Sequence, residues 1–276
     1  MRSFAMAALV ALSLLGCGGF GGDAPDPAST GDAGSITPRD DASSGSGGPG
    51  PDGGTSEAGA EGGTDDGPRV VQAKGFTEIA STVGTSHELN VMLDQPAPAN
   101  DLLVVGISSL NGGVDILEVR DGQGAVYTPV ERARTGAIRT ELWSGTTKGT
   151  TDVVTIAVTA NISFYVWLIH ATGLATRVGG ARGETLSADS GAIVSAPIVP
   201  LATPPTLVVS TVHGGQLTGI APSSEFHEVA LPIPPVPTTP TAATAWALVT
   251  TPGSRAAKWS GQIGPVYNGV TAAFSP

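Results

Sequence analysis

Residues 69–276 read as an all-β sandwich. Three observations carry that expectation. Short runs rich in Val, Ile, Thr, Ala and Ser recur between clusters of Gly, Pro, Asn and Asp. In one of them Val154, Ile156 and Val158 alternate with Thr155, Ala157 and Thr159, the period of two that gives a strand one buried face. No stretch outside the first residues sustains a helical period.

The chain opens with Arg2 and an apolar run, Phe4–Leu15, shorter than the ~20 apolar residues a bilayer span needs. Leu14-Leu15-Gly16-Cys17 follows the run. It resembles the lipobox of bacterial lipoproteins: an aliphatic residue three before a cysteine and a small residue just before it. The resemblance implies cleavage before Cys17, with lipid on its thiol and on the new amino terminus. It also implies export and anchoring in the cell envelope, at the outer membrane or cell surface. A single lipid chain binds reversibly, so stable anchoring needs more than one. Cys17 is the only cysteine, which rules out an intramolecular disulfide and a cysteine-based zinc or redox site.

Residues 18–68 are Gly, Asp, Ser, Ala, Pro and Thr, with almost no aliphatic residue after Phe20 except Ile36. Such a segment buries no apolar surface and is expected to be a disordered linker. It holds ten acids against Arg39, a balance of about −9 out of the chain's −11. A Gly-rich coil of this length spans about 40 Å, enough to lift a folded body clear of a membrane. The remaining 69–276 balance at about −3, without the basic stripe that nucleic-acid binding requires.

The candidate strands, in order, are Glu88–Leu93, Leu102–Leu110, Val114–Arg120, Ala125–Val130, Ile138–Ser144, Val153–Thr159 and Ser163–Ala171. Then come Ala192–Val199, Thr206–His213, Phe226–Leu231, Ala243–Thr251, Ala256–Gly261 and Gly269–Ser275. Leu102-Leu103-Val104-Val105 is apolar on both faces and reads as a central strand. Asp121-Gly122-Gln123-Gly124 reads as a hairpin turn, since Asp-Gly accepts the positive φ that such turns demand. The segment before Asn111-Gly112-Gly113, Pro98–Val105, echoes Pro204–Val209 before Gly214-Gly215, and Arg139–Ser144 echoes Thr244–Val249. Two arrangements fit this echo: one sandwich with a repeated hairpin pattern, or two small sandwiches in tandem. The short junction at Gly173–Gly183 favours one domain.

Asn100–Val105, the hairpin through Tyr127, the strand ending His170-Ala171-Thr172-Gly173-Leu174 and the closing Trp259-Ser260-Gly261 through Phe274 carry a second resemblance. Residues ~98–276 are similar to a recurring domain of bacterial secreted and surface proteins, a jelly-roll or galactose-binding-like β-sandwich. The resemblance implies a fold and no catalytic residues. The Pro-rich stretch Pro232–Pro240 departs from it and reads as a rigid surface loop.

Chemistry-bearing patterns are sparse. His87, His170, His213 and His227 could ligate a metal only by converging in space; His87-Glu88 and His227-Glu228 point to opposite strand faces. No G-x-S-x-G is present, and His213-Gly214-Gly215 reads as a turn. Glu118, Glu131, Glu141 and Asp115 are the carboxylates that a glycoside-cleaving pair would use. Tyr165 and Trp167 fall on one face of a strand, opposite Phe164, Val166 and Leu168, and are the candidate aromatic platform for a sugar. The expectation is a membrane-anchored envelope protein with a non-catalytic binding or structural module. Its partner is a surface glycan or protein, with no cofactor, metal or nucleic acid. The alternative is a polysaccharide-active hydrolase or lyase.

Overall fold

The computed structural model describes residues 67–79, 81–83, 86–109, 113–175, 180–187, 193–201, 205–221, 224–232 and 241–276. Cys17, the expected signal segment and nearly all of the expected linker lie outside these residues. So do residues 233–240 of the Pro-rich stretch. Residues Glu61–Pro276 group as one compact unit.

The described chain is all-β, built of antiparallel sheets, and contains no helix. Its earlier strands are β1 (Arg69–Ile79), β2 (Ser81–Val83), β3 (Ser86–Ala97), β4 (Leu102–Ser109), β5 (Ile116–Asp121), β6 (Thr128–Thr135), β7 (Ile138–Thr146), β8 (Thr151–Val158) and β9 (Ser163–Thr172). The later ones are β10 (Gly180–Ser187), β11 (Ile193–Ser195), β12 (Val199–Leu201), β13 (Thr206–Ile220), β14 (His227–Glu228), β15 (Ala242–Val249), β16 (Gly253–Arg255) and β17 (Lys258–Phe274).

Two five-stranded paths dominate. The first runs β1-β9-β4-β7-β6 and the second β10-β17-β13-β15-β14. Counting from the start of each half, both place the first strand beside the last, then a strand from early in the half and two later ones. The segments that echo each other in sequence fall on β4 and β13 and on β7 and β15. The outer layers differ. The first half adds a four-stranded sheet, β2-β3-β8-β5; in the second, the pair β12-β16 is continued by the start of β17, flanked by β11 on one edge and by Gly215–Ile220 of β13 on the other.

Side-chain alternation sorts the core into three slabs. Leu103, Val105 and Ile107 of β4 pack with Phe164, Val166 and Leu168 of β9 against Leu89, Val91, Val154, Ile156 and Val158 of the four-stranded sheet. Leu102 and Val104 point the other way, with Trp167, Ile169 and Ala171, onto Leu207, Val209, Val270, Ala272 and Phe274. The far face of the second main sheet carries Val208, Val212, Ala243, Ala245, Ala247 and Trp259, covered by Val199 and Leu201 of β12. This explains why every residue of β4 is buried: its sheet lies between two others. Each large aliphatic side chain so enclosed is worth about 1.5–3 kcal/mol of burial.

Several expectations need revising. Lys258–Gly261 and Gly269–Phe274, from the two strands expected at Ala256–Gly261 and Gly269–Ser275, belong to a single 17-residue strand, β17. Phe226–Leu231 contributes only the two residues of β14. The strand expected at Ala125–Val130 begins at Thr128. β1 and β10, the opening strands of the two halves, had no expected counterpart. Each contains a glycine that the packing demands. A Cβ on Gly75 would lie 2.5 Å from the Ala230 carbonyl oxygen, and one on Gly183 would lie 2.4 Å from that of Arg132. The opening strand of each half thus presses on backbone of the other. The Asp-Gly turn is present: Gly124 N–H donates to Asp121 O at 3.1 Å, and the positive φ falls on Gly124.

Candidate functional site

A cleft of about 350 Å³ opens in the second half, lined by Ser195, Ile198, Ser224, Glu225, Phe226, Ser254, Arg255, Ala256 and Lys258. Its floor is fixed by local bonding. The Tyr267 hydroxyl donates to Ser195 O at 3.0 Å, Ala196 N–H to Ala257 O at 2.9 Å, and Ala221 N–H to Lys258 O at 2.9 Å. Phe226 is buried in the core beneath, while Ile198 is 54% exposed at the rim.

Arg255 is the best-positioned polar group there. Its Nε forms an ion pair with the Glu225 carboxylate across the cleft. Its Nη2 donates to Thr251 Oγ1 at 3.0 Å and its Nη1 to Ser254 O at 3.1 Å. Gly253 precedes it at φ 135°, a backbone conformation that residues with a side chain rarely adopt. Lys258 is exposed beside it and forms no ion pair among the described residues. The lining therefore holds two cations, one carboxylate, three serine hydroxyls and an apolar flank. Such a mixture of apolar wall and a few convergent polar groups suits recognition of a polar, anionic ligand.

The residues singled out from sequence lie elsewhere. Tyr165 and Trp167 do share a face, as expected, with rings stacked at 6.2 Å between centroids. That face is turned onto the second main sheet, Trp167 has no exposed surface, and Tyr165 is half-buried. The pair offers no open stacking surface, because the sheet that carries it is covered on both sides. Glu141 is likewise interior. Its carboxylate accepts from Arg139 Nε at 2.7 Å and from Trp143 Nε1 at 2.8 Å. Arg139 also donates to Asp115 at 2.8 Å, and that guanidinium holds the Asp115 carboxyl below the usual range. Glu118 pairs with Arg120 at 3.6 Å, and Glu131 sits on β6.

The histidines are dispersed. His170 is buried; Gln72 Nε2 donates to its Nδ1 at 3.3 Å, which leaves Nε2–H to donate to Asp101 Oδ2 at 2.6 Å. His213 is buried between the two main sheets, hydrogen-bonded to Ser108 and 3.4 Å from Thr241 Oγ1. Desolvation lowers its pKa to about 4. His87 lies on β3 and His227 on β14, where the His227 ring contacts Trp246 at 4.6 Å. Among the described residues, no three His, Cys, Asp or Glu side chains gather as a metal site.

Sequence reasoning passed over Arg255 and Lys258. Nothing local marks them: a lone Ser-Arg-Ala-Ala-Lys stretch reads as any strand end. Glu225 gains meaning only from the ion pair, which joins residues 30 positions apart in sequence.

Fold and site together define an all-β protein of packed antiparallel sheets with a charged cleft in its second half. No family model, no curated protein and no solved structure matches the chain.

Proposed function

We propose that this protein is a lipid-anchored display protein of the bacterial envelope, whose residues 69–276 form a non-catalytic binding body of jelly-roll type. Lipid on Cys17 holds it at the membrane, the acidic linker 18–68 extends it, and a surface glycan or protein is captured at the Arg255–Lys258 cleft. The observation that carries the binding part is the cleft: two cations, one of them held by three partners, facing an open apolar rim. The jelly-roll reading rests on the facing orders β1-β9-β4-β7-β6 and β2-β3-β8-β5, in which successive strands switch between sheets except within the pairs β2-β3 and β6-β7. The anchor rests on the Leu14–Cys17 motif and the linker composition.

Two measurements test it. Metabolic labelling with a fatty-acid analogue should mark the full chain and leave Cys17→Ser unlabelled and soluble. The purified Cys17→Ser chain should bind members of combined glycan and peptide arrays, with binding reduced by Lys258→Ala. An unlabelled, soluble wild-type chain overturns the anchor, and silence on both arrays overturns the binding role.

A further inference from the structure

The backbone around the cleft is already paired. β11 lies along one edge of the start of β17, and Gly215–Ile220 of β13 lies along the other. Ala196 N–H and Ala221 N–H reach the carbonyls of Ala257 and Lys258, and the Ser254 carbonyl is met by Arg255. What the cleft offers a ligand is therefore its side chains.

Those side chains divide by role. Among the described residues, the Lys258 ammonium and the Ser254 hydroxyl form no hydrogen bond or ion pair. Arg255 keeps a second N–H on each Nη beyond its bonds to Thr251 and Ser254. The Ser224 hydroxyl accepts from Phe226 N–H at 3.3 Å and keeps its proton to donate. Ser195 donates to Ala196 O at 3.2 Å and keeps its oxygen to accept. Glu225 turns Oε1 to Arg255, and its Oε2 has no partner among the described residues. The lining thus presents a cationic pair, hydroxyls beside it and a carboxylate oxygen facing them, with Ile198 and Ala256 as the apolar wall.

Charge and size narrow the ligand. Two cations against one carboxylate leave a single positive charge in the lining. That suits a monoanion better than a phosphate monoester, which carries about −1.5 to −2. A space of about 350 Å³ holds roughly a dozen non-hydrogen atoms at the ~30 Å³ that each molecule of liquid water takes, the size of one sugar ring with its substituents.

Resting on the reading of this cleft as a binding site, we infer that its ligand is a hexuronic acid residue of a surface glycan. The sugar carboxylate meets Lys258 and the remaining N–H groups of Arg255. Its hydroxyls bond to Glu225 Oε2 and to Ser195, Ser224 and Ser254, and a C–H face of the ring lies on Ile198. Phe226, 6% exposed, offers no flat ring, so charge rather than stacking selects the sugar. An acidic side chain of a protein fits less well. It answers the cations but brings no hydroxyls to the serines and to Oε2, and polar groups covered without partners weaken binding.

The test uses the full chain carrying Cys17→Ser and trisaccharides of galacturonate, glucuronate and mannuronate. Each is paired with its methyl ester, which keeps the size and removes the charge. At least one acid should bind at least about tenfold more tightly than its ester, the effect of a charge-assisted hydrogen bond. Lys258→Ala, on an exposed side chain, should weaken that binding about tenfold, and Lys258→Arg should retain it. Ser254→Ala should weaken it about threefold, the effect of one neutral hydrogen bond. Equal binding of acid and ester, or indifference to Lys258→Ala, overturns the uronate proposal. Lys258-dependent binding of sulfated sugars or of glutamate-rich peptides, with no uronate bound, overturns it while leaving the cleft a binding site. Failure of all these probes and of the arrays overturns both readings.

Discussion

The two halves of the folded unit share one strand order and differ in what covers it. The first half closes its main sheet with four strands and fills the space with Leu89, Leu103, Ile107, Tyr127, Trp143 and Phe164. The second covers its main sheet with the short pair β12-β16, β11 and the far ends of β13 and β17, over a core in which Ala196, Ala243, Ala245, Ala247, Ala257 and Ala273 stand among larger side chains such as Phe226 and Trp259. Small side chains bury less apolar area and contribute less to stability. The difference teaches that one topology can be spent in two ways. A full outer sheet gives a well-filled core, and one assembled from short strands and strand ends leaves a cleft. The first half is the scaffold, and the candidate binding surface belongs to the second.

The largest effect that would break this comparison lies in the first half. Glu141→Ala leaves the Arg139 guanidinium buried with half its partners gone. The expected loss is about 3–5 kcal/mol of unfolding free energy, read by denaturant titration, with much of it recovered in an Arg139→Met/Glu141→Leu double variant. A loss under about 1 kcal/mol would mean that the first half is not the scaffold.

Next comes the seam between the halves. His213 carries a depressed folded pKa of about 4 against an unfolded value near 6.5. The unfolded chain therefore binds the extra proton first. The stability contributed by neutral His213 is complete above about pH 6.5 and drains away as pH falls toward 4, by up to about 3 kcal/mol. His213→Gln should flatten that slope in unfolding curves recorded between pH 7 and 4; an unchanged slope would remove His213 as its source.

Smaller and reciprocal effects are expected at the two glycines. Gly75→Ala and Gly183→Ala each drive a methyl into backbone of the other half, at a cost of about 1–3 kcal/mol. Comparable falls in Tm for both would show that the contact between the halves is equally tight on its two sides, whereas a fall for one alone would show an uneven seam. Smallest of all are the cleft substitutions. Ile198→Ser and Lys258→Ala should change stability by no more than about 0.5 kcal/mol, as surface positions do. A larger change in a melting curve would assign the cleft residues to folding.

Much of the β architecture was legible because strands of this chain alternate faithfully. The split of Ser163–Ala171 into a Phe164, Val166, Leu168 face and a Tyr165, Trp167 face is the one the core slabs use. What alternation could not reveal is whether a face meets water or another sheet, so Trp167 reads as a platform in sequence and is interior in the fold. β1 and β10 escaped notice because Gly75 and Gly183 weaken a strand pattern; they are glycine for the sake of a neighbour far along the chain. The site was the least legible part, since Glu225, Arg255 and Lys258 are unremarkable one at a time.

By itself the sequence determined the antiparallel β character of residues 69–276, the faces of most strands and the internal echo between the halves, because these follow from local side-chain period and turn chemistry. The stacking of one main sheet upon the other, the burial of Trp167, and the cleft beside β16 were decided only by tertiary structure. Each depends on which faces meet, and contacts between distant segments leave no periodic trace in either segment alone.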